Sequence, residues 1–310
     1  MPLGTTTLMA STPLTALDRA PVWLNSEPLA AEALRGSVVA VDFWTYSCVN
    51  WLRTLPYLRA WAERYADRGL VIVGVHAPEF GFGHDLDNVR HAVADLGVAY
   101  PVVIDNDYAI WRAFDNHYWP AVYIVDRAGR LRFQHFGEGA YEDTEQAIQR
   151  LLDLDEEFVS VDAGGFAEAA DWDSLRSPET YVGHARGERR IDRTAGGLAL
   201  NQWALAGEWA VDDESAALTA APGSIAYRFE GRDLNLVLTP PRGRAARFSV
   251  RLAGEPPGDD HGLDVDPSGE GAVAEPRMYQ LVRQRGDIRE RTFEVTFHDP
   301  GVAGYVFTFG

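Results

Sequence analysis

The first half of the chain alternates short apolar runs with amphipathic segments. The apolar runs at residues 37–44, 70–76 and 101–104 have the length of buried strands and end at polar or glycine residues. Residues 49–65 and 85–96 instead carry apolar side chains at helical spacing, and a glycine follows each segment closely. Because strands and helices alternate, this half predicts a central sheet that is covered on both faces.

A hairpin and two further helices complete this half. Residues 121–125 and 130–136 flank the turn at 126–129, and together they predict an antiparallel hairpin. Residues 107–114 predict a short helix and residues 141–154 a longer one. The predicted sheet is therefore mixed, with parallel strands first and an antiparallel hairpin at its end.

The pattern changes in the second half, where the helical period is absent. Short stretches alternate apolar and polar residues, and glycine and proline separate them at turn positions. This pattern predicts an all-β antiparallel sandwich. The predicted strands lie at residues 225–229, 234–238, 247–252, 292–297 and 305–309.

These patterns divide the 310-residue chain into four segments. Residues 1–20 are small and polar and predict a flexible arm. Residues 21–157 form the α/β domain, and residues 198–310 form the β-sandwich domain. Residues 158–197 are rich in glycine, alanine and charge, and they predict a linker between the two domains.

Composition excludes several classes of function. The net charge is −18 and every one of the 28 basic residues is arginine, so we expect no binding to nucleic acid or to an anionic membrane. The absence of lysine excludes Schiff-base catalysis and a P-loop phosphate site. The single cysteine, Cys48, excludes an internal disulfide and a zinc site built from cysteines. We predict no bound cofactor.

The start of the chain shows no targeting signal. Residues 1–20 lack a basic start and an apolar core of signal-peptide length. The longest apolar runs have the length of a strand, which is too short to span a bilayer. We therefore expect a cytoplasmic protein without a transmembrane segment, or a periplasmic one if the start codon is misassigned.

Cys48 lies where a predicted strand gives way to a helix. At the N-terminus of a helix, the dipole and the free amide groups stabilise a thiolate, which is the reactive form of cysteine. A lone cysteine is by itself more often an inert buried residue. Three neighbours in sequence order change that interpretation: Asp42 in the preceding strand, Pro56 inside the following helix, and Pro120 after Trp119.

These residues resemble the active site of thioredoxins. In that family the acid at the position of Asp42 lies behind the reactive cysteine and assists proton transfer. A cis-proline at the position of Pro120 faces the reactive sulfur, and a cis bond is accessible at an X-Pro peptide. The resemblance implies a thioredoxin fold for the α/β domain.

The resemblance narrows to the redoxin domain of DipZ-type proteins, which are relatives of the TlpA group. In those proteins the redoxin domain is followed by a module that is similar to jelly-roll, carbohydrate-binding β-sandwiches. The membrane domain that precedes it in full-length DipZ has no counterpart in this sequence. The stretches that carry the resemblance are residues 44–50, 74–80, 115–120, 178–183 and 277–283.

Trp51 is the main departure from the family pattern, because the dithiol members carry their second cysteine at this position. A dithiol enzyme resolves its mixed disulfide by attack of that second thiol, which this chain cannot do. We therefore interpret the protein as a monothiol oxidoreductase. Its predicted partners are an external thiol reductant and an oxidised thiol or a peroxide. The predicted catalytic residues are Cys48, Thr45, Asp42 and Pro120.

Peroxide reduction is one form of this chemistry. Thr45-x-x-Cys48 resembles the peroxidatic Thr-x-x-Cys of peroxiredoxins, although the proline that precedes that threonine is replaced by Val41. The same chemistry needs a partner arginine, for which Arg53 and Arg112 are candidates.

Two alternatives assign no turnover to the chain. In the first, the thioredoxin fold is a silent scaffold that binds peptides in a groove. The predicted groove residues are Trp44, Trp51, Trp119 and Glu79, next to Pro120. In the second, the β-sandwich binds glycan through exposed aromatic side chains. The candidates for that role are Trp203, Trp209 and Tyr227, which are more often core residues in a sandwich.

Two weaker patterns involve calcium and histidine. The spacing of Asp264, Asp266, Ser268 and Glu275 fits a calcium loop, but the flanks read as strands and Pro267 is unusual in such loops, so we favour an acidic turn. The histidines show no metal spacing. We interpret His76 and His117 as hydrogen-bonded surface residues rather than as groups that act on Cys48.

Overall fold

The computed structural model describes residues 13–191 and 197–310. The chain divides into two compact units, with the boundary between Ala167 and Glu168. The helices and strands of the first unit are β1 (Trp23–Leu24), β2 (Val38–Trp44), α1 (Val49–Tyr65), β3 (Leu70–His76), α2 (Leu86–Asp95), β4 (Val102–Ile104), α3 (Ala109–Ala113), β5 (Ala121–Val125), β6 (Leu131–Phe136) and α4 (Tyr141–Leu152).

The first unit is built on a six-stranded mixed sheet with the order β1-β4-β3-β2-β5-β6. Strands β2, β3 and β4 are parallel, whereas β5 runs antiparallel to β2 and pairs with β6 as a hairpin. All seven residues of β2 are buried, so the centre of the sheet is covered on both faces. The predicted thioredoxin fold is confirmed, and only the short edge strand β1 was not predicted.

Helix α1 has the predicted bounds and contains Pro56. A short 3₁₀ turn, Ala66–Arg68, follows it and ends at Gly69 with φ of 98°. Glycine adopts this left-handed conformation without a steric penalty, so it terminates the helix and allows β3 to begin at once. The turn fixes α1 against the sheet and thereby fixes the position of Cys48 at its other end.

The borders of the domains differ from the predicted ones. Residues 1–12 lie outside the described residues, but Pro13–Arg19 form a 3₁₀ helix rather than part of a flexible arm. Leu14 and Leu17 of this helix are buried in the core of the first unit, because their apolar side chains recur on one face. Apolar periodicity over so short a segment is a weak signal in the sequence.

The predicted linker, residues 158–197, is divided between the two units. Gly165–Ala167 form a 3₁₀ turn at the end of the first unit. Glu168 already belongs to the second unit, where its carboxylate lies between Arg232 and Arg283. Strand β7 (Thr180–Tyr181) then pairs with the last strand of the chain. Residues 192–196 of the predicted linker lie outside the described residues.

The second unit is an antiparallel β-structure. Its remaining strands are β8 (Trp203–Val211), β9 (Ala216–Phe229), β10 (Asp233–Thr239), β11 (Ala246–Leu252), β12 (Glu270–Val273), β13 (Arg277–Arg283), β14 (Arg291–Phe297) and β15 (Ala303–Phe309). The 14-residue β9 is the branch point: one edge pairs with β8, and the other pairs first with β15 and then with β14. Two arms therefore leave β9, one through β14, β11 and β12 and the other through β15, β10 and β13.

Apolar side chains from both arms meet in one core. Phe248 and Phe297 come from the first arm, and Leu236 and Phe307 come from the second. The all-β antiparallel prediction is confirmed, and the length of β9 explains how a single hydrogen-bonded sheet encloses a core. In the parts of the chain that the structure describes, no helix combines the length and the apolar character needed to cross a membrane.

Candidate functional site

Cys48 is the N-cap residue of α1, directly after the buried strand β2 and a short loop. Its backbone N–H donates to the carbonyl of Thr45 at 3.1 Å, which closes that loop. Cys48 is partly exposed, and its thiol lies 3.9 Å from the carbonyl oxygen of Trp119. The sulfur thus sits at the positive end of the helix dipole, on a residue that is partly open to solvent.

The Trp119–Pro120 peptide bond is cis, as predicted from the thioredoxin resemblance. It lies next to Cys48 because β2 and β5 are antiparallel neighbours, which brings the end of one strand to the start of the other. The indole of Trp119 donates to the carbonyl of Ala77 at 3.0 Å and holds this loop against the end of β3. The structure therefore brings Cys48 and Pro120 together at one edge of the sheet.

Thr45 is placed beside Cys48 but is almost completely buried, with 1% of its surface exposed. The hydrogen bond that joins the two residues runs from the amide of Cys48 to the carbonyl of Thr45. Thr45 therefore shapes the loop through its backbone.

Asp42 lies on β2 and is completely buried. Its Oδ2 accepts a hydrogen bond of 2.9 Å from the indole N–H of Trp51, which stands where dithiol relatives carry their second cysteine. Burial raises the pKa of Asp42 to about 7, although Trp51 and Tyr100 both favour the ionised form. The carboxyl therefore changes its charge near neutral pH, below the first turn of α1.

The predicted groove is wrong for two of its four residues. Trp44 and Trp51 are fully buried and stack on each other with ring centroids 4.3 Å apart. Large aromatic side chains gain most when they are removed from water, and here both fill the space between α1 and the sheet. Trp119 and Glu79 are partly exposed and remain near the surface.

The two arginine candidates for the peroxidatic role have different surroundings. Arg53 is 3% exposed and forms an ion pair of 2.8 Å with Glu138, in the loop that follows β6. Burial raises the pKa of Glu138, and the positive charge of Arg53 opposes that rise. Arg112 is exposed on α3. Because Arg53 neutralises Glu138, it serves to tie α1 to the loop beside Pro120.

An exposed aromatic pair next to the site was not predicted from the sequence. Tyr118 is 57% exposed and Phe136 is 40% exposed, and their ring centroids lie 5.3 Å apart. Phe136 pairs with Ala121 in the β5–β6 hairpin, and Ala121 is the residue that follows Pro120. The hairpin register could have suggested this pairing, but a sequence does not show which aromatic side chains stay exposed.

His76 is not at the surface, contrary to the sequence-based interpretation. It ends β3, is completely buried and contacts the rings of Trp44 and Tyr46. Neither ring nitrogen has a hydrogen-bond partner among the described residues. Burial, reinforced by the charge of His84, lowers the pKa of His76 to about 3, so the ring is neutral. His117, in contrast, is exposed and lies 3.3 Å from Asp115, as expected for a surface residue.

The candidate glycan residues of the second unit are core residues. Trp203 and Tyr227 are 1% and 0% exposed, and Trp209 packs against the same core. The glycan hypothesis therefore loses its proposed contacts.

The calcium loop is also contradicted. Arg277 lies between Asp264 and Glu275 and forms ion pairs of 2.8 and 2.9 Å with them. Asp266 accepts from the amides of Ser268 and Glu270 and closes a tight turn. Within residues 13–191 and 197–310, these three acids do not form a group with metal-binding spacing. Arg277 neutralises charges that a calcium ion would need, which favours the acidic turn.

Comparison with known proteins agrees with this geometry. Residues 20–134 match the AhpC/TSA family, and residues 177–310 match the family described as thioredoxin like C-terminal domain. Over 232 residues the chain is 35% identical to Protein DipZ of Mycobacterium bovis and Mycobacterium tuberculosis, which covers 70% of this chain and 33% of DipZ. It is 28% identical to the thiol-disulfide oxidoreductase YkuV of Bacillus subtilis, over 45% of this chain and 94% of YkuV.

These comparisons relate the first unit to thioredoxin-like thiol-disulfide oxidoreductases. The chain is DipZ-like in both units, although it spans about a third of the length of the DipZ proteins. The solution structure of a thioredoxin-like protein in the oxidised form is 30% identical to it, over 44% of this chain and 90% of that chain, with a TM-score of 0.40. The buried Trp51, at the position of the second cysteine of the motif, sets the chain apart from a dithiol arrangement.

Proposed function

We propose that this protein is a monothiol disulfide exchanger that acts on disulfides of proteins or peptides and is released by an external thiol. One observation carries the proposal: Cys48 is partly exposed beside the Trp119 carbonyl, whereas Trp51 is buried and bonded to Asp42. One accessible sulfur permits attack on a disulfide, and a buried indole in place of the second thiol prevents internal resolution.

The reaction proceeds in two exchanges that balance without a cofactor. In the first, the thiolate of Cys48 attacks one sulfur of a substrate disulfide, forms a mixed disulfide with it and releases the other sulfur as a thiolate. In the second, an external thiolate attacks the substrate sulfur of that mixed disulfide and releases the thiolate of Cys48. In the net reaction, the external thiol replaces one of the two thiols of the substrate disulfide. The positive end of α1 stabilises the Cys48 thiolate, which is the nucleophile in the first exchange and the leaving group in the second.

The surroundings of Cys48 favour a peptide disulfide over a peroxide. The carbonyl of Trp119 lies beside the sulfur, and the exposed pair Tyr118 and Phe136 extends an apolar surface from it. A peptide can cover such a surface, whereas hydrogen peroxide gains nothing from it. Arg53, one of the two candidates for the arginine of a peroxidatic site, is paired with Glu138.

The test is trapping of the mixed disulfide. Purified protein is mixed with an excess of a short peptide disulfide or with glutathione disulfide, and its mass is measured over time. We expect one adduct per chain that persists until an external thiol is added, and no adduct with Cys48→Ser. Absence of an adduct on folded wild-type protein would instead support a silent scaffold.

Trp51→Cys provides a matched comparison, because it restores the two-cysteine spacing. We expect its mixed disulfide to be short-lived and to be replaced by an internal disulfide between positions 48 and 51. A wild-type adduct that decays as fast as that of Trp51→Cys, without added thiol, would contradict the monothiol mechanism. Consumption of hydrogen peroxide that depends on Cys48 and exceeds the rate with peptide disulfide would favour the peroxidase alternative.

A further inference from the structure

The carboxyl group of Asp42 has a second polar neighbour besides Trp51. The hydroxyl of Tyr100, in the loop that precedes β4, faces this carboxyl and interacts with it. The contact falls short of a complete hydrogen bond, so Asp42 Oδ1 and the Tyr100 hydroxyl are both buried without a full partner among the described residues. Buried polar groups are rarely left in this state, because each costs free energy until it is paired.

Gly74 creates the space in which these groups meet. It lies directly opposite Asp42 in the parallel register of β2 and β3. A Cβ atom at position 74 would lie 3.0 Å from the Tyr100 ring and 2.9 Å from the indole nitrogen of Trp44. Any side chain larger than hydrogen would therefore force the Tyr100 ring or the Trp44 indole to shift.

Tyr100 also connects this buried cluster with the surface. It lines an open groove of about 690 Å³ between α1 and β3, together with Arg59 and Glu63 of the helix. The charged or titratable groups that act on the pair are Asp42 and Tyr100 themselves and Arg59, whose positive charge acts on Tyr100. Trp44 and Trp51, which also face Asp42, carry no charge.

We propose that Tyr100 is a positioning residue for Asp42: its hydroxyl closes on Oδ1 as the second donor when the carboxyl ionises. This inference rests on the proposed function, in which Cys48 reacts as a thiolate. Tyr100 sets the pH at which Asp42 becomes negatively charged beneath that thiol. Asp42 is bonded to Trp51, which lies three residues after Cys48 on α1, so its charge acts on the helix turn that carries the thiol. Ionised Asp42 disfavours the Cys48 thiolate, and Tyr100 determines the pH above which this repulsion acts.

Tyr100→Phe tests the proposal, because it removes the hydroxyl and keeps the ring. The titration of Asp42 is followed by the infrared band of its protonated carboxyl, which is assigned with Asp42→Asn. We expect the titration midpoint to rise by about one pH unit, as for the loss of one hydrogen bond to a carboxylate. The inflection that Asp42 contributes to the pH profile of Cys48 alkylation by iodoacetamide should shift in the same direction.

Tyr65→Phe is the matched control, since the hydroxyl of Tyr65 at the end of α1 donates at 2.5 Å to another buried carboxylate, that of Glu145. An unchanged Asp42 midpoint in Tyr100→Phe, or an equal shift in Tyr65→Phe, would overturn the proposal. Gly74→Ala provides a second variant in which the hydroxyl is present but displaced, and the same upward shift is expected. The infrared band and the alkylation do not require disulfide exchange, so a failure of the proposed function remains distinguishable.

Discussion

The indole N–H of Trp51 donates a 2.9 Å hydrogen bond to Oδ2 of Asp42. Both side chains are completely buried, and Trp51 also stacks on Trp44. In a dithiol relative this position carries the thiol that resolves the mixed disulfide. Here the position carries an indole N–H, which donates to Asp42 and does not ionise. The residue that replaces the second thiol is therefore also part of the packed core.

Trp51→Phe should destabilise the protein more at pH 8 than at pH 5. The hydrogen bond to Asp42 is stronger when the carboxyl is ionised, and its loss costs about 1.5–3 kcal/mol for a charged acceptor. The measurement is the free energy of unfolding in denaturant at both pH values. Trp44→Phe is the control, because the Trp44 indole nitrogen has no hydrogen-bond partner among the described residues. An equal loss at both pH values in Trp51→Phe would show that the bond does not depend on the charge of Asp42.

Asp42→Asn should remove a loss of stability that develops as the pH rises. The pKa of Asp42 is about 7 in the folded protein against an ordinary value of 3.8. Between these values the unfolded chain releases the proton and the folded protein retains it, so stability falls with rising pH, by about 4 kcal/mol in total. The variant should therefore gain stability over wild type at pH 8 and differ little at pH 4.

Asp126→Asn is the control of opposite sign for Asp42→Asn. Hydrogen bonds from Arg130 and Ala128 hold the pKa of Asp126 below its ordinary value despite its burial. Its stabilisation is present above that ordinary value and is lost on acidification, so Asp126→Asn should cost stability at pH 8. If Asp42→Asn also lost stability at pH 8, the assigned pKa of Asp42 would be wrong.

His76→Phe should remove a loss of stability that develops on acidification. The pKa of His76 is about 3 when folded against 6.5 ordinarily, so below pH 6.5 the unfolded chain takes up a proton that the folded protein does not. Stability is complete above pH 6.5 and falls on acidification, by about 5 kcal/mol at the lower limit. Phenylalanine keeps the contacts with Trp44 and Tyr46 and cannot titrate. Thermal unfolding between pH 7 and pH 4 gives the comparison.

The pH slopes of His76 and Asp42 oppose each other between about pH 4 and 6.5. Each single variant should therefore show a steeper pH dependence than wild type in that interval, with opposite sign. His117→Phe is the control for His76→Phe, since His117 is exposed. A wild-type acid response in His76→Phe would contradict the prediction.

Tyr118→Ser should slow the reaction of Cys48 with a peptide disulfide that carries an aromatic side chain next to its cysteine. Loss of one aromatic contact of about 0.5–1.5 kcal/mol corresponds to a reduction of about 2- to 10-fold. The rate with glutathione disulfide should not change, because that probe has no aromatic group. Trp172→Ser removes another exposed aromatic side chain, 61% exposed in the second unit, and should leave both rates unchanged. Equal slowing with both probes would argue against an aromatic recognition surface.

The sequence by itself determined the local elements and the order of the active-site residues. Helix α1 and strand β3 have their predicted bounds, because apolar periodicity and a terminating glycine are local properties. The position of Cys48 at a strand-to-helix junction and the cis bond at Pro120 follow from the same local order. The lack of a second thiol is a property of composition alone.

Only the tertiary structure decided which of these side chains reach solvent. Three aromatic side chains with ring N–H groups near the site are buried, namely those of Trp44, Trp51 and His76, whereas Tyr118 is exposed. The sequence alone does not show this difference. Burial depends on contacts between residues far apart in the chain, as between Arg53 and Glu138 or Asp42 and Tyr100. Packing of α1 against the sheet fixes those contacts, and it leaves Cys48 as the thiol at the surface and Trp51 as its buried neighbour.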